Sequence, residues 1–374
     1  HNKVYNVTSW VAHHPGGLAI VNGAGKDATH LFEERGHTDY ARETMKQYLN
    51  VKTISITLGV LFLLLWLIGF YWSLEPDTFD VKANAREQMS STNVQPVPGY
   101  TVTTTLITVA DTLMDKPGGY LSNDVMPPSV FLDNMPSWEF GVLEIVRDML
   151  LSMRKDFSRS QSQSVENPHL VKAQPKFNID SRNWLFPSAE SQYSEAIDYL
   201  SQYRDDLADP TLGDSQFYTR ADNLREYLKQ VEKKLGSLSQ RLSASVEAER
   251  VNTDLAGDKS ASNSTPRPNS IQTRTSWWQL DNVFYEARGS TWALLHLLKA
   301  IEVDFASVLE NKNALVSLQQ IIKELEATQQ TIWSPMILNG SGFGMLANHS
   351  LVMANYISRA NAAIIELSEF LNQG

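Results

Sequence analysis

Between Ile54 and Trp72 the chain runs for nineteen residues without a charged side chain, and at its centre lies Leu61-Phe62-Leu63-Leu64-Leu65-Trp66-Leu67-Ile68. About twenty apolar residues cross a bilayer as a helix, whereas a helix in a soluble core needs only an apolar stripe and keeps a wet face. The run is too long and too far from the N-terminus for a cleaved signal sequence, and the following Ser73-Leu74-Glu75-Pro76-Asp77 offers no small-residue cleavage site. One transmembrane helix is therefore expected over residues 53–73, with Tyr71 and Trp72 as interfacial anchors.

Arg35, Arg42, Lys46 and Lys52 precede the span, while only Lys82 and Arg86 follow soon after it. That bias keeps the N-terminal segment in the cytoplasm and sends the long C-terminal part across the membrane. The formal net charge of −10 excludes nucleic acid as a partner, because phosphate backbones reward concentrated positive charge. The chain has no cysteine, so neither a disulfide framework nor a covalent thioether link to a cofactor is available.

Ahead of the span, two histidines stand in specific frames 23 residues apart. The first is His14-Pro15-Gly16-Gly17, where proline fixes one backbone angle and the glycines admit a tight turn that presents the imidazole. The second is Phe32-Glu33-Glu34-Arg35-Gly36-His37, a short helical run that ends at a glycine and returns its imidazole toward the first. The pair reads as the two axial ligands of a haem. His13, His30, His169, His296 and His349 lack such frames and read as ordinary surface or core residues. Lys116-Pro117-Gly118-Gly119 repeats the turn with lysine at the ligand position and reads as a helix stop.

The stretch from Lys3-Val4-Tyr5-Asn6-Val7-Thr8 through Gly25-Lys26-Asp27-Ala28-Thr29 to Ala41-Arg42-Glu43 resembles the cytochrome b5-type haem-binding domain, over roughly the first fifty residues. The resemblance implies that His14 and His37 bind the iron of one b-type haem (iron protoporphyrin IX) from opposite faces. It also implies that Ile20, Val21 and Phe32 line the apolar pocket. Family members carry further secondary structure ahead of the Val-Tyr motif, whereas this chain opens at His1, almost upon it. The expected domain is therefore an incomplete α+β haem fold over residues 1–50.

Beyond the span the chain reads as helices, with a membrane-proximal region over 75–136 and a helical-bundle domain over 137–374. Leu224, Leu228, Val231, Leu235, Leu238 and Leu242 alternate four and three residues apart. The rhythm returns in Leu280, Phe284, Ala287, Thr291, Leu294, Leu298, Ile301 and Phe305, in Leu315, Leu318, Ile322 and Leu325, and in Leu346, Ser350, Met353, Ile357, Ala360, Ile364 and Leu367. Four such helices bury one another as an antiparallel bundle, or meet a second copy as a coiled coil. Trp138–Phe157 and Ser188–Leu207 also read as helices. Val102–Leu113 has helical apolar spacing but threonines that favour strand. The polar stretch 252–275, which includes Asn263-Ser264-Thr265, reads as a mobile loop. The overall class is mainly α.

From Lys52 onward the chain resembles a bacterial inner-membrane family catalogued as domain of unknown function 2333. The resemblance is carried by Lys116-Pro117-Gly118-Gly119-Tyr120-Leu121-Ser122-Asn123-Asp124, by Phe131-Leu132-Asp133-Asn134-Met135-Pro136-Ser137-Trp138-Glu139-Phe140-Gly141 and by the run Ser158–Ser164. It implies an inner-membrane location and brings no established activity to transfer, while the Lys and Arg bias puts the bundle in the periplasm. This part holds no nucleophile elbow, zinc helix or phosphate loop. Glu144 and Asp148, one helical turn apart beside Arg147, read as a solvated face, and the Ser158–Ser164 run as a capped turn or polar pocket. Asn339–Gly344 reads as a hinge.

Two axial histidines leave iron no open position, so the expectation is an electron carrier rather than a catalyst. Glu33, Glu34, Asp39 and Glu43 cluster by the second ligand and would steer redox partner proteins. The competing expectation is a non-catalytic envelope scaffold whose periplasmic bundle binds other helices or forms a helix-mediated oligomer. A redox sensor that signals through the span ranks last. Membrane lipid is a partner on every reading.

Overall fold

The computed structural model describes residues 3–49, 51–92, 94–159, 165–209, 211, 215–246, 248–251, 270–334, 336–342 and 344–373. They fall into two compact units, His1–Ile68 and Gly69–Gly374.

The first unit opens with 3₁₀ turns at Thr8–His13 and Gly17–Gly23, followed by α1 (Thr29–Glu34) and α2 (Asp39–Gln47). The expected α+β character is not met among its described residues. Instead of a sheet there is one antiparallel bridge, Tyr5 to Leu49, beside a bond from the Asn6 amide to the Tyr48 carbonyl (2.8 Å). So short a pairing supplies too few ladder bonds to make a strand.

Next, α3 (Val51–Trp72) carries the apolar run. Within Ile54–Trp72 an eighteen-residue window has a mean hydropathy of 2.3 and is only 6% buried, so it is not the core helix of a soluble domain.

The second unit contains α4 (Val81–Thr92), α5 (Tyr100–Asp115), α6 (Asn134–Ser152, continued by a π turn to Phe157), α7 (Pro168–Phe177), α8 (Ala189–Ala208) and α9 (Ala221–Ser243). After them come α10 (Leu280–Asp304), α11 (Ala306–Asn311), α12 (Leu315–Thr328) and α13 (His349–Asn372). This is a larger assembly than four helices. α10 lies at its centre, against α5, α6 and α12, while α13 packs on α9 and α12. The four expected seams supply much of the core: every seam residue of α9 and α10 is buried, as are Leu318, Ile322 and Leu325 of α12. They face helices of the same chain, which answers the coiled-coil alternative for these residues. Glycines set the tightest crossing. A Cβ on Gly141 would fall 2.1 Å from the Glu286 carbonyl oxygen, and one on Gly289 would fall 2.1 Å from that of Trp138. The backbones of α6 and α10 touch there, and Trp138 and Trp292 pack 5.3 Å apart beside the contact.

Three local expectations change. The threonine-rich stretch is helical, because Thr103, Thr108 and Thr112 donate their hydroxyls to carbonyls one turn back at 2.7–2.9 Å and so need no partner outside the helix. Leu346 lies outside α13 and is exposed, since Asn348 caps that helix by accepting from the Leu351 amide (2.8 Å). Gly340 is no open hinge: its amide donates to the Ala347 carbonyl (3.0 Å) and its carbonyl accepts from the Asn348 side chain (2.6 Å). Residues 252–269 of the expected loop and 160–164 of the serine run lie outside the described residues. The loop's end is ordered, for Ala248–Val251 (β1) pairs antiparallel with Ser270–Thr273 (β2), where Val251, Ile271 and Thr273 favour extended backbone.

Candidate functional site

In the first unit, the turn that begins at His14 and the end of α1 bring His14 and His37 together. Their ring centroids are 6.3 Å apart and their planes differ by 36°. A metal ion bonded on opposite sides to one nitrogen of each ring at about 2.0 Å, with each nitrogen about 1.1 Å from its ring centre, sets the centroids about 6.2 Å apart. The spacing fits one ion held between the two imidazoles.

Each ring is also oriented from behind. His14 Nδ1 lies 3.2 Å from the Gly17 carbonyl oxygen, and His37 Nδ1 lies 2.8 Å from that of Phe32. A carbonyl can only accept, so Nδ1 carries the proton and the lone pair of each ring sits on Nε2. That is the tautomer a metal-binding histidine needs, fixed by the hydrogen bond made at its other nitrogen.

The glycines serve this arrangement. A Cβ on Gly16 would stand 2.9 Å from His14 Cε1, so any side chain there displaces the ring. Gly17 and Gly36 have φ of +59° and +65°, in the left-handed region that favours glycine. Gly36 thereby turns the chain out of α1 and delivers His37.

Of the expected pocket residues, Phe32 stacks on His37 with centroids 4.1 Å apart and planes within 3°. Ile20 is half-buried in the 3₁₀ turn that follows Gly16, and Val21 in the same turn is exposed. Among the described residues of this unit only Thr44 is buried, while Leu18 and Leu31 stand exposed beside the two histidine frames. The apolar side chains around the imidazoles thus have no core of their own and suit a flat apolar group laid between the rings. Leu18 and Leu31, and the carbonyls of Gly17 and Phe32, were not singled out from sequence. Backbone acceptors leave no mark in residue types.

The acidic cluster is partly neutralised. Arg42 pairs with Glu33 (2.6 Å) and holds its carboxyl below the usual range, and Lys46 pairs with Glu43 (2.5 Å). Glu34 lies 3.5 Å from His30 Nδ1, and both Glu34 and Asp39 are exposed. In the second unit Glu144 and Asp148 meet Lys234 at 2.9 and 4.0 Å, and Glu144 also pairs with Arg147 (3.0 Å). They form an ion cluster between α6 and α9.

Residues 1–53 match the model of the cytochrome b5-like heme/steroid binding domain. The segment is 54% identical over 50 residues to cytochrome b5 of Rhizopus stolonifer, which covers 13% of this chain and 38% of that protein. It is 55% identical over 49 residues to cytochrome b5 of Musca domestica, covering 13% and 37%. It is 53% identical over 47 residues to cytochrome b5 isoform B of Arabidopsis thaliana, covering 12% and 35%. The chain thus spans little more than a third of the length of these relatives. No solved structure matches it. Over residues 44–374 the chain matches a second family model, and it belongs to that family, described as uncharacterized protein conserved in bacteria (DUF2333).

Proposed function

We propose that this protein is a single-pass membrane protein whose N-terminal unit holds one b-type haem between His14 and His37, and that it carries single electrons. The observation that supports this most is the pair of imidazoles, 6.3 Å apart, each with Nδ1 committed to a backbone carbonyl. Haem, when bound, supplies an iron centre that accepts and returns one electron. His14 and His37 would occupy both axial positions and leave no place for substrate, so the protein works as a carrier and not as a catalyst. The Gly17 and Phe32 carbonyls would keep the rings aimed. Phe32, Ile20 and Val21, with Leu18 and Leu31, would exclude water from the macrocycle.

The span Ile54–Trp72 would fix the carrier to a bilayer, so that donor and acceptor meet it in two dimensions. The excess of Lys and Arg before the span favours a cytoplasmic N-terminal unit and a periplasmic bundle in a bacterial inner membrane. Redox partners would dock beside His37, where exposed Glu34 and Asp39 remain to steer a basic surface. An oligomer formed through the second unit would use surfaces other than the heptad seams.

The test is the visible spectrum of detergent-purified protein, oxidised and then dithionite-reduced, beside His14→Ala and His37→Ala. A sharp reduced α band that is lost in both variants is the expected result. The reading fails if no Soret band develops after haem is added.

A further inference from the structure

The last turn of α3 belongs to the second unit and is gripped there. A Cβ on Gly69 would lie 3.4 Å from Pro128 Cβ and 3.8 Å from a Leu132 methyl. Trp72 covers Gly118 so closely that a Cβ at that glycine would fall 2.7 Å from the indole. The segment that follows the Lys116-Pro117-Gly118-Gly119 turn is thus held against the end of the apolar helix. Between Val125 and Leu132 it has no charged residue, and it leaves Met126, Val130 and Phe131 exposed by 72, 52 and 79%.

A second loop is tied to the first. Tyr120 donates its hydroxyl to the Ser181 carbonyl and Asn123 its amide to the Asn183 carbonyl, both at 3.1 Å. The Asn183 side chain then brackets the next turn, accepting from the Leu185 amide (3.2 Å) and donating to the Pro187 carbonyl (2.8 Å). Inside that bracket Trp184, Leu185 and Phe186 stand 58, 58 and 99% exposed, again without a charge among them. Two neighbouring, hydrogen-bonded loops therefore hold large apolar side chains in the open, which marks an interaction surface.

We propose that these two loops are a bilayer-docking surface, seated in the interfacial layer of the leaflet where α3 ends. The inference rests on reading α3 as a membrane span. Continuity with that span selects lipid over a protein partner. A span of nineteen residues has its ends at the interface, and the residues that touch Gly69 and Trp72 share that depth. Tryptophan, phenylalanine and leucine are the side chains that partition there. Docking would seat these loops of the second unit in the membrane surface.

The native chain lacks cysteine, so single labels are unambiguous. The full chain would be reconstituted in phosphatidylcholine–phosphatidylglycerol vesicles with a nitroxide at Phe131→Cys or Phe186→Cys. Leu63→Cys on α3 serves as the lipid reference, and Val316→Cys, exposed on α12, as the water reference. Collision with oxygen should exceed collision with a water-soluble nickel chelate at 131 and 186, as at 63, and the order should reverse at 316. If 63 meets oxygen while 131 and 186 meet nickel, the docking surface is overturned and the span stands. Shielding of 131 and 186 from both reagents means that protein covers them, which also overturns it. If 63 itself meets nickel, the span reading fails and the docking falls with it.

Discussion

Lys116 and Glu139 meet in the interior of the second unit, Nζ to Oε1 at 2.5 Å, with neither side chain exposed. Lys116 also donates to the Gly119 carbonyl, and Glu139 accepts from the Leu121 and Ser122 amides at 2.8 Å and from the Ser122 hydroxyl. One carboxylate thus folds the Pro-Gly-Gly turn, and the loop that touches the end of α3, onto α6. Removing one member of a buried pair leaves the other uncompensated, at a cost of about 3–5 kcal/mol. Lys116→Met and Glu139→Gln should each lower unfolding stability by about that much, and the double variant by less than the sum. Additive losses in denaturant titrations would contradict the pairing.

Arg288 should govern the segment that leaves α3. Its Nε meets Glu75 Oε2 at 2.5 Å, and its Nη1 donates to the Thr328 and Gln330 carbonyls at 2.8 and 3.0 Å. One and two turns further along α10, Trp292 donates to the Asp77 carbonyl (3.3 Å) and His296 Nε2 accepts from the Phe79 amide (3.0 Å). Arg288→Met should raise hydrogen exchange across residues 74–80 while α9 and α13 keep their protection. Unchanged exchange in that segment would mean that the arginine is not its anchor.

His296 makes stability depend on pH. Burial pushes its pKa down to about 4, with the charge of Lys299 acting the same way, so the folded chain keeps it neutral. An unfolded histidine titrates near 6.5. The unfolded state therefore gains a proton first as pH falls; the stability is full above about 6.5 and is lost progressively toward about 4. Asp304, pushed up to about 6 by burial, acts in the opposite sense, since it holds a proton in the folded state and its contribution fades as pH rises from about 4 to about 6. His296→Gln isolates the histidine. Between pH 7.5 and pH 5 the native protein should lose about 2 kcal/mol more than this variant, and parallel losses in the two proteins would refute the assignment.

Gly16→Ala should loosen haem without touching a ligand atom, because the added methyl would fall 2.9 Å from the His14 ring. Groups that orient a metal-binding histidine typically matter by about 10–100-fold in affinity, so haem titration should show at least a tenfold loss. Gly59→Ala, whose methyl would meet nothing within 4 Å, is the control and should bind as the native protein does.

Much of this was legible in residue types. The leucine seam of α9, the apolar face of α10 and the uncharged run of α3 each follow from one periodicity and one length. That His14 and His37 come together follows from the glycines beside them. The rest depended on partners distant in the chain. His296 looks like any histidine until α10 brings it under the Phe79 amide, 217 residues away. Lys116 shows itself as a helix stop, and α5 does end at Asp115, but its burial needs Glu139 from another helix. The threonines of α5 mislead because strand preference counts the free side chain and not the hydroxyl's bond to its own helix.

The central claim is that His14 and His37 close both axial positions of one iron. Carbon monoxide added to the dithionite-reduced, haem-loaded chain tests it most directly. The account predicts a reduced spectrum unchanged by the gas in the native protein and a shifted Soret band in His37→Ala, where a position is opened. A carbon monoxide shift in the native protein would mean that the iron has an open site, and the carrier reading would give way to ligand binding or catalysis.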